Sequence, residues 1–162
     1  MALHRCNDMF SSKSLRANGF EGFVTWASFD QESVPKLGGV YIVLWSADIP
    51  PSFQTVSCGG HFKGRDPAVG VGQLQSKWVS GTETVYIGKA TSLRARLRQY
   101  RAFGAGRPVG HWGGRYIWQL TDPLQLRVCW KATDSAPEGE ESALLQSFVN
   151  QHGQLPFANL RN

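Results

Sequence analysis

Acidic side chains are missing from the middle of this chain. No Asp or Glu lies between Thr84 and Thr121, whereas seven basic residues do: Lys89, Arg94, Arg96, Arg98, Arg101, Arg107 and Arg115. The absence leaves that charge without internal neutralisation, and a net charge of +5 over 162 residues understates the local imbalance. Cysteine is scarce: Cys6, Cys58 and Cys129 are odd in number and lack CxxC spacing, which argues against a disulfide framework. No apolar run approaches the roughly 18 residues that a membrane-spanning helix needs. Met1 to Asp8 lack the apolar core of a signal peptide, so a cytoplasmic protein is expected. There is no internal repeat and no low-complexity segment. The length fits a single domain with enough apolar residues for a core.

What is present reads as α/β. Gly39-Val40-Tyr41-Ile42-Val43-Leu44-Trp45 is the clearest strand, apolar enough for the middle of a sheet. Thr84-Val85-Tyr86-Ile87 is a second, turned by Gly88, and Leu124 to Trp130 is a third. Residues 12–30 suggest a helix or loop with Phe20, Phe23, Trp26 and Phe29 as anchors. Residues 46–82 are rich in Gly and Pro and form a long connection, with a short helix at 71–79; long loops are usually functional. Thr91 or Ser92 caps a helix that carries the arginines. Residues 111–120 favour a helix over a strand. Asp134 or Ser135 caps a last helix that ends near His152 at Gly153. The expected core is a small three-stranded mixed or antiparallel sheet flanked by helices. Its boundaries are an extension at 1–36, an insertion at 46–83, and core segments 37–45 and 84–160.

Two side chains sit oddly on these helices. At about 100° per residue, Leu93, Arg96, Tyr100 and Phe103 share one side of the Arg-rich helix, and Arg94, Arg98 and Arg101 the other. A partly buried guanidinium is costly unless it meets an anion or a carbonyl, so Arg96 is suspect. On the last helix, Leu145, Phe148 and Leu144 fall at about 40°, −20° and −60° from Glu141. An inward Glu141 needs a partner, and a divalent cation is one; the alternative is a first-turn Glu facing water. The aromatic residues Tyr100, Phe103, Trp112, Tyr116 and Trp118 lie among the basic ones, which suits base stacking on nucleic acid. His111-Trp112-Gly113-Gly114-Arg115 reads either as a flexible loop touching substrate or as a Gly-rich turn. His4-x-Cys6 and Cys58-x-x-His61 could pool into a Zn²⁺ site, a weak reading because the pairs lie far apart.

The chain resembles the GIY-YIG endonuclease superfamily. Gly39-Val40-Tyr41 is similar to the first motif and Tyr86-Ile87-Gly88 to the second. Lys89, Arg96 and Tyr100 follow at the spacings of the excision-repair branch. Glu141 resembles the metal-binding Glu of the third helix, and Pro156-Phe157-Ala158-Asn159 resembles the ending that carries the functional Asn. Asn150 and Asn162 compete for that last role. The 44 residues between Tyr41 and Tyr86 depart from the family's short connection and resemble the insertions of restriction-type members.

The resemblance implies phosphodiester hydrolysis with one Mg²⁺ or Mn²⁺ on Glu141. Arg96 would contact the scissile phosphate, and Tyr41 would be the general base, helped by Arg96 or Lys89. Tyr86 and Tyr100 would position water or phosphate, and Asn159 would orient the phosphate or a neighbour. Lys89, Arg94, Arg98, Arg101, His111 and Arg115 would bind nucleic acid, DNA foremost and RNA not excluded. The expectation is thus a metal-dependent, restriction-like DNA endonuclease, with a non-cleaving nucleic-acid-binding module as the alternative and a dimer possible.

Overall fold

The computed structural model describes residues 8–46 and 48–160. Its centre is a four-stranded, wholly antiparallel sheet of β1 (Glu21–Thr25), β2 (Gly39–Leu44), β3 (Thr84–Ala90) and β4 (Arg127–Ala132), in the order β1-β4-β2-β3. Helices α1 (Ser12–Ala17), α2 (Val71–Lys77), α3 (Leu93–Gly104) and α4 (Pro137–His152) complete the α/β architecture. None of the described helices is long and apolar enough to cross a membrane.

The apolar run at β2 lies inside the sheet, between β4 and β3, with all six residues buried. The strand count differs from expectation because β1 has no clean alternation. Gly22 and Phe23 adopt positive φ values of 96° and 58°, and the register against β4 shifts between Gly22 and Val24. A bulge of this kind breaks the period of 2 on which strand recognition depends. Gly88 does not turn the chain; β3 runs on to Ala90. The third expected strand starts later, at Arg127, because Pro123–Gln125 form a 3-10 turn. Residues 112–119 are helical, as 3-10 turns. Gly153 stops α4 in the left-handed conformation, whereas its N-cap is Ala136 rather than Asp134 or Ser135.

The sheet separates two apolar layers. Val40, Ile42, Leu44, Ile87 and Cys129 face Phe10, Leu15 and Phe148 from the α1 and α4 side. Tyr41, Val43, Tyr86, Val128 and Trp130 face Leu93, Leu97, Tyr100 and Phe103 of α3. Strand alternation fixes this division, and it places Tyr41 and Tyr86 on the same face as α3.

The segment 46–83 is fastened to the core by Gln119, which is fully buried. Its amide donates to the carbonyls of Gln54 and Val69 at 2.9 and 2.6 Å and accepts from the Val69 N–H at 3.0 Å. β3 is an edge strand, and its open side is covered by the C-terminal segment. The Ala158 N–H donates to the Val85 carbonyl at 2.8 Å. The Asn159 side chain accepts from the Ile87 N–H at 3.0 Å and donates to the Ile87 carbonyl at 2.9 Å. An unpaired strand edge is thereby closed.

Candidate active site

Ser92 starts α3 by accepting the Ala95 N–H at 3.4 Å. The buried stripe of the helix is Leu93, Leu97, Tyr100 and Phe103. Arg96 lies half-buried at the border of that stripe, one turn before Tyr100. Its Nη1 donates to Gln99 Oε1 at 2.7 Å and to the Gly110 carbonyl at 2.8 Å. The Tyr100 hydroxyl donates to the Gly114 carbonyl at 2.6 Å. Two side chains of α3 thus grip both ends of the segment 110–114. Gly114 is required here, since a Cβ would collide with the Tyr100 hydroxyl.

That grip seats His111 in the core, fully buried. Its ring stacks on Tyr100 with centroids 3.5 Å apart and planes 5° from parallel. Its Nε2 lies 2.7 Å from the Tyr41 hydroxyl. Its Nδ1 has no hydrogen-bond partner among the described residues.

The β2–β3 register sets Tyr41 opposite Gly88 and Val43 opposite Tyr86. Gly88 leaves room for the Tyr41 ring to lie across the neighbouring strand, where any Cβ would strike it. The Tyr41 and Tyr86 rings are 6.0 Å apart, and Tyr86 is 5.5 Å from Tyr100. Tyr41, Tyr86, Tyr100 and His111 therefore form one aromatic cluster, with the Arg96 guanidinium at its edge.

Burial raises the Tyr41 phenol well above its ordinary pKa, Tyr86 adds to the rise, and Arg96 opposes it. Burial also raises Tyr86, against the lowering pull of the Tyr41 hydroxyl and Arg96. Tyr100 is raised well above its ordinary value, again chiefly by burial. His111 is driven the other way, well below the ordinary histidine value, by burial and then by Arg96, so the ring is neutral.

Tyr41, Tyr86, Lys89, Arg96, Glu138 and Glu141 line one open cleft of about 580 Å³. Glu141, in the second turn of α4, is half-buried rather than fully inward. Burial raises its pKa, Lys89 lowers it, and Glu138 raises it again. Glu141 has no hydrogen-bond or ion-pair partner among the described side chains, since Lys89 pairs with Glu138 at 3.6 Å. A second depression of about 530 Å³ shares Ala90, Thr91 and Arg96 with the first. It adds Arg98, Gln99 and Arg107 but no carboxylate.

Four of the six expected catalytic positions, Tyr41, Tyr86, Arg96 and Glu141, meet in the cleft. Tyr100 lies behind them, fully buried. Asn159 does not line the cleft; both ends of its amide are committed to Ile87. Asn150 is exposed on α4, and Asn162 lies outside the described residues.

The expected nucleic-acid contacts divide. Arg98 is exposed beside the cleft, and Lys89 lines it. Arg94 turns to the N-terminal segment, donating to the Val34 carbonyl at 2.8 Å and pairing with Glu32 at 3.3 Å. Arg101, two turns later on the same face, donates to the Trp26 carbonyl at 3.2 Å. Arg115 lies over Trp112 at 4.5 Å and donates to the Trp112 carbonyl at 3.1 Å. His111 is a core residue rather than part of a flexible surface loop. The aromatic residues expected to stack on bases are inward as well: Tyr100, Phe103, Tyr116 and Trp118 are buried. Gly110 and Gly114 were the available signal for His111, because glycines on both sides let a loop approach a helix closely.

Among the described residues, no group of three or more His, Cys, Asp or Glu side chains is placed to hold a metal ion. His4 and Cys6 of the Zn²⁺ reading lie outside the described residues.

No protein-family model matches the chain, and neither a curated protein nor a solved structure is significantly similar to it.

Proposed function

We propose that this protein is a metal-dependent endonuclease of the GIY-YIG kind, hydrolysing phosphodiester bonds in DNA. The observation that carries the reading is the convergence of Tyr41, Tyr86, Arg96 and Glu141 on one cleft, from β2, β3, α3 and α4. A guanidinium, two phenols and an unpartnered carboxylate make an arrangement with no evident need in a purely structural site. All four are partly or wholly buried, a cost in stability that a function at the cleft accounts for.

Arg96 supports the reading through its divided duties. Nη1 is held by Gln99 and Gly110, which fixes the plane of the guanidinium. The rest of the guanidinium, which also acts on the Tyr41 hydroxyl, lines the cleft where a phosphate would enter and where charge grows in the transition state. Tyr41, once its own proton has left to solvent, is the base that takes a proton from the attacking water, and Arg96 lowers part of the cost that burial places on ionising its phenol. Tyr86, at the cleft wall, orients the water or a phosphate oxygen. Tyr100 supports the site from behind by holding Gly114 and the His111 ring. Asn159 contributes by fixing the strand that carries Tyr86.

The residues present fit a Mg²⁺ or Mn²⁺ ion. Such an ion is commonly held by one or two carboxylates, with waters and substrate phosphates completing the shell. Glu141 is a single open carboxylate of that type. When bound, the ion would supply positive charge for the leaving 3′ oxygen. Arg98 and Arg107 would continue the phosphate contacts beyond the cleft, through the depression that shares Arg96.

Purified protein is incubated with supercoiled plasmid and phage DNA at low salt, with Mg²⁺, Mn²⁺ or EDTA, beside Glu141→Ala. Cutting that requires metal and disappears in the variant is the expected result. Salt-sensitive binding without cutting would overturn the enzyme reading in favour of a binding module.

A further inference from the structure

His111 is the one member of the aromatic cluster for which the resemblance offers no counterpart. It is fully buried, stacked on Tyr100 at 3.5 Å, and 2.7 Å from the Tyr41 hydroxyl. Arg96 and Tyr100 hold the carbonyls on either side of it, so its place is fixed by the same helix that lines the cleft. Resting on the reading of Tyr41 as the base, we infer that His111 is a positioning residue: a fixed donor whose Nε2–H points at the Tyr41 oxygen.

The tautomer follows from what each ring nitrogen meets. A neutral imidazole carries one N–H, and Nδ1 has no hydrogen-bond partner among the described residues. Placing the hydrogen on Nδ1 would orphan a buried donor, which proteins tolerate less well than an unsatisfied acceptor. Placing it on Nε2 directs the donor to Tyr41 and leaves only a bare nitrogen unpaired. Ring charge is disfavoured by burial and then by Arg96, and these outweigh a smaller raising pull from the backbone of His111 itself. The other groups around the ring, Tyr41, Tyr86 and Tyr100, are neutral phenols in the resting protein.

The consequence falls on Tyr41. Its ring is enclosed by Tyr86, Tyr100 and His111, which leaves little water to stabilise a phenolate. The Nε2–H replaces that water with a fixed donor. It also occupies one side of the phenol oxygen, so the remaining lone pair and the hydroxyl hydrogen turn towards the cleft. In the reaction the water oxygen bonds to phosphorus and the bond from phosphorus to the 3′ oxygen breaks. Tyr41 first gives its hydroxyl proton to solvent in the cleft. The phenolate so formed takes the proton of the attacking water, and the leaving 3′ oxygen takes one from solvent, so Tyr41 ends the turnover as a neutral phenol. His111 neither gains nor loses a proton.

Two measurements test this. The first is ¹⁵N NMR of the imidazoles in the unliganded wild type, with the His111 signals assigned by difference from His111→Gln. The Nε2-protonated neutral form is expected throughout about pH 5 to 8. An Nδ1-protonated ring or an imidazolium in that range would overturn the inference. This readout needs no cleavage, so it stands even if the protein cuts nothing and the nuclease reading fails.

The second compares kcat and KM of His111→Gln and His111→Phe. Gln keeps an N–H donor and cannot accept a proton; Phe keeps the stack on Tyr100 and loses the donor. His111→Phe should lower kcat about 10²-fold with KM unchanged, as removal of one fixed donor to a developing charge does. His111→Gln should recover about tenfold of that loss. His111→Phe cutting at the wild-type rate, or His111→Gln cutting no better than His111→Phe, would overturn it. If His111→Phe does not fold, His111→Gln set against the wild type and the NMR tautomer decide the matter.

Discussion

Asn159 offers the sharpest test of how this site is held together. Its amide satisfies both the N–H and the carbonyl of Ile87, at 3.0 and 2.9 Å, on the outer edge of β3. Ile87 is fully buried and follows Tyr86 directly, so water cannot readily replace either bond. Asn159→Ala leaves one donor and one acceptor unpaired. At about 1–3 kcal/mol for each orphaned group, and allowing for relaxation, the loss is roughly 2–4 kcal/mol. In a domain of this size about 1 kcal/mol shifts Tm by roughly 2–4 °C, so the melting temperature should fall by about 5–15 °C.

Asn159→Asp refines the point, because it keeps the shape and the acceptor for the Ile87 N–H. Its second oxygen faces the Ile87 carbonyl with nothing to donate. Burial and that carbonyl should raise the pKa of the new carboxyl in the folded state. The penalty is then present in full at neutral pH. It is relieved as the pH falls through the folded-state value, where the protonated acid donates to Ile87. Thermal unfolding by circular dichroism at neutral and mildly acidic pH reads both effects, and cleavage measured well below either Tm reads activity. At such temperatures Asn159→Ala should keep the wild-type KM. An unchanged Tm together with complete loss of cutting would refute the clamp and return Asn159 to the substrate.

Arg98 and Arg107 are exposed and line the depression beside the cleft. Replacing each with Ala should weaken DNA binding and reduce the slope of log K against log salt by about one for each phosphate no longer neutralised. Filter binding across a salt series checks this, and an unchanged slope in the double variant would exclude that face. Glu141 carries a pKa raised by burial, so its ionised form costs folding. Glu141→Gln should therefore raise Tm slightly at neutral pH. The gain should vanish as the pH falls through the folded-state value of Glu141 towards the unfolded one, and a gain that persists in acid would contradict the assignment of its environment.

Elements were legible in the sequence wherever a local pattern carried the information. The run Gly39 to Trp45 has no polar position to face water, and it became the inner strand β2. Ser92 capped α3, and Gly153 ended α4. β1 was not legible, because five residues with a bulge at Gly22 have no periodicity of their own and exist as a strand only by pairing with β4. The arginines show the same division. Their spacing on α3 is local information, but which of them meets a carbonyl depends on where Val34, Trp26 and Gly110 lie in space.

By itself, then, the sequence determined the α/β class, the inner strand, the Ser92 cap of α3 and the Gly153 stop of α4, and it marked Arg96 and Glu141 as side chains at odds with their helix faces. Helix and strand periodicity and the cost of burying charge act over a few residues, so they can be read along a chain. Tertiary structure alone decided that His111 sits on Tyr41, that Gln119 fastens the long insertion, and that Asn159 closes the edge of β3. Each of those bonds joins residues about 50 to 70 positions apart. Only the packed core, where an unpaired polar group has no water to turn to, selects such partners.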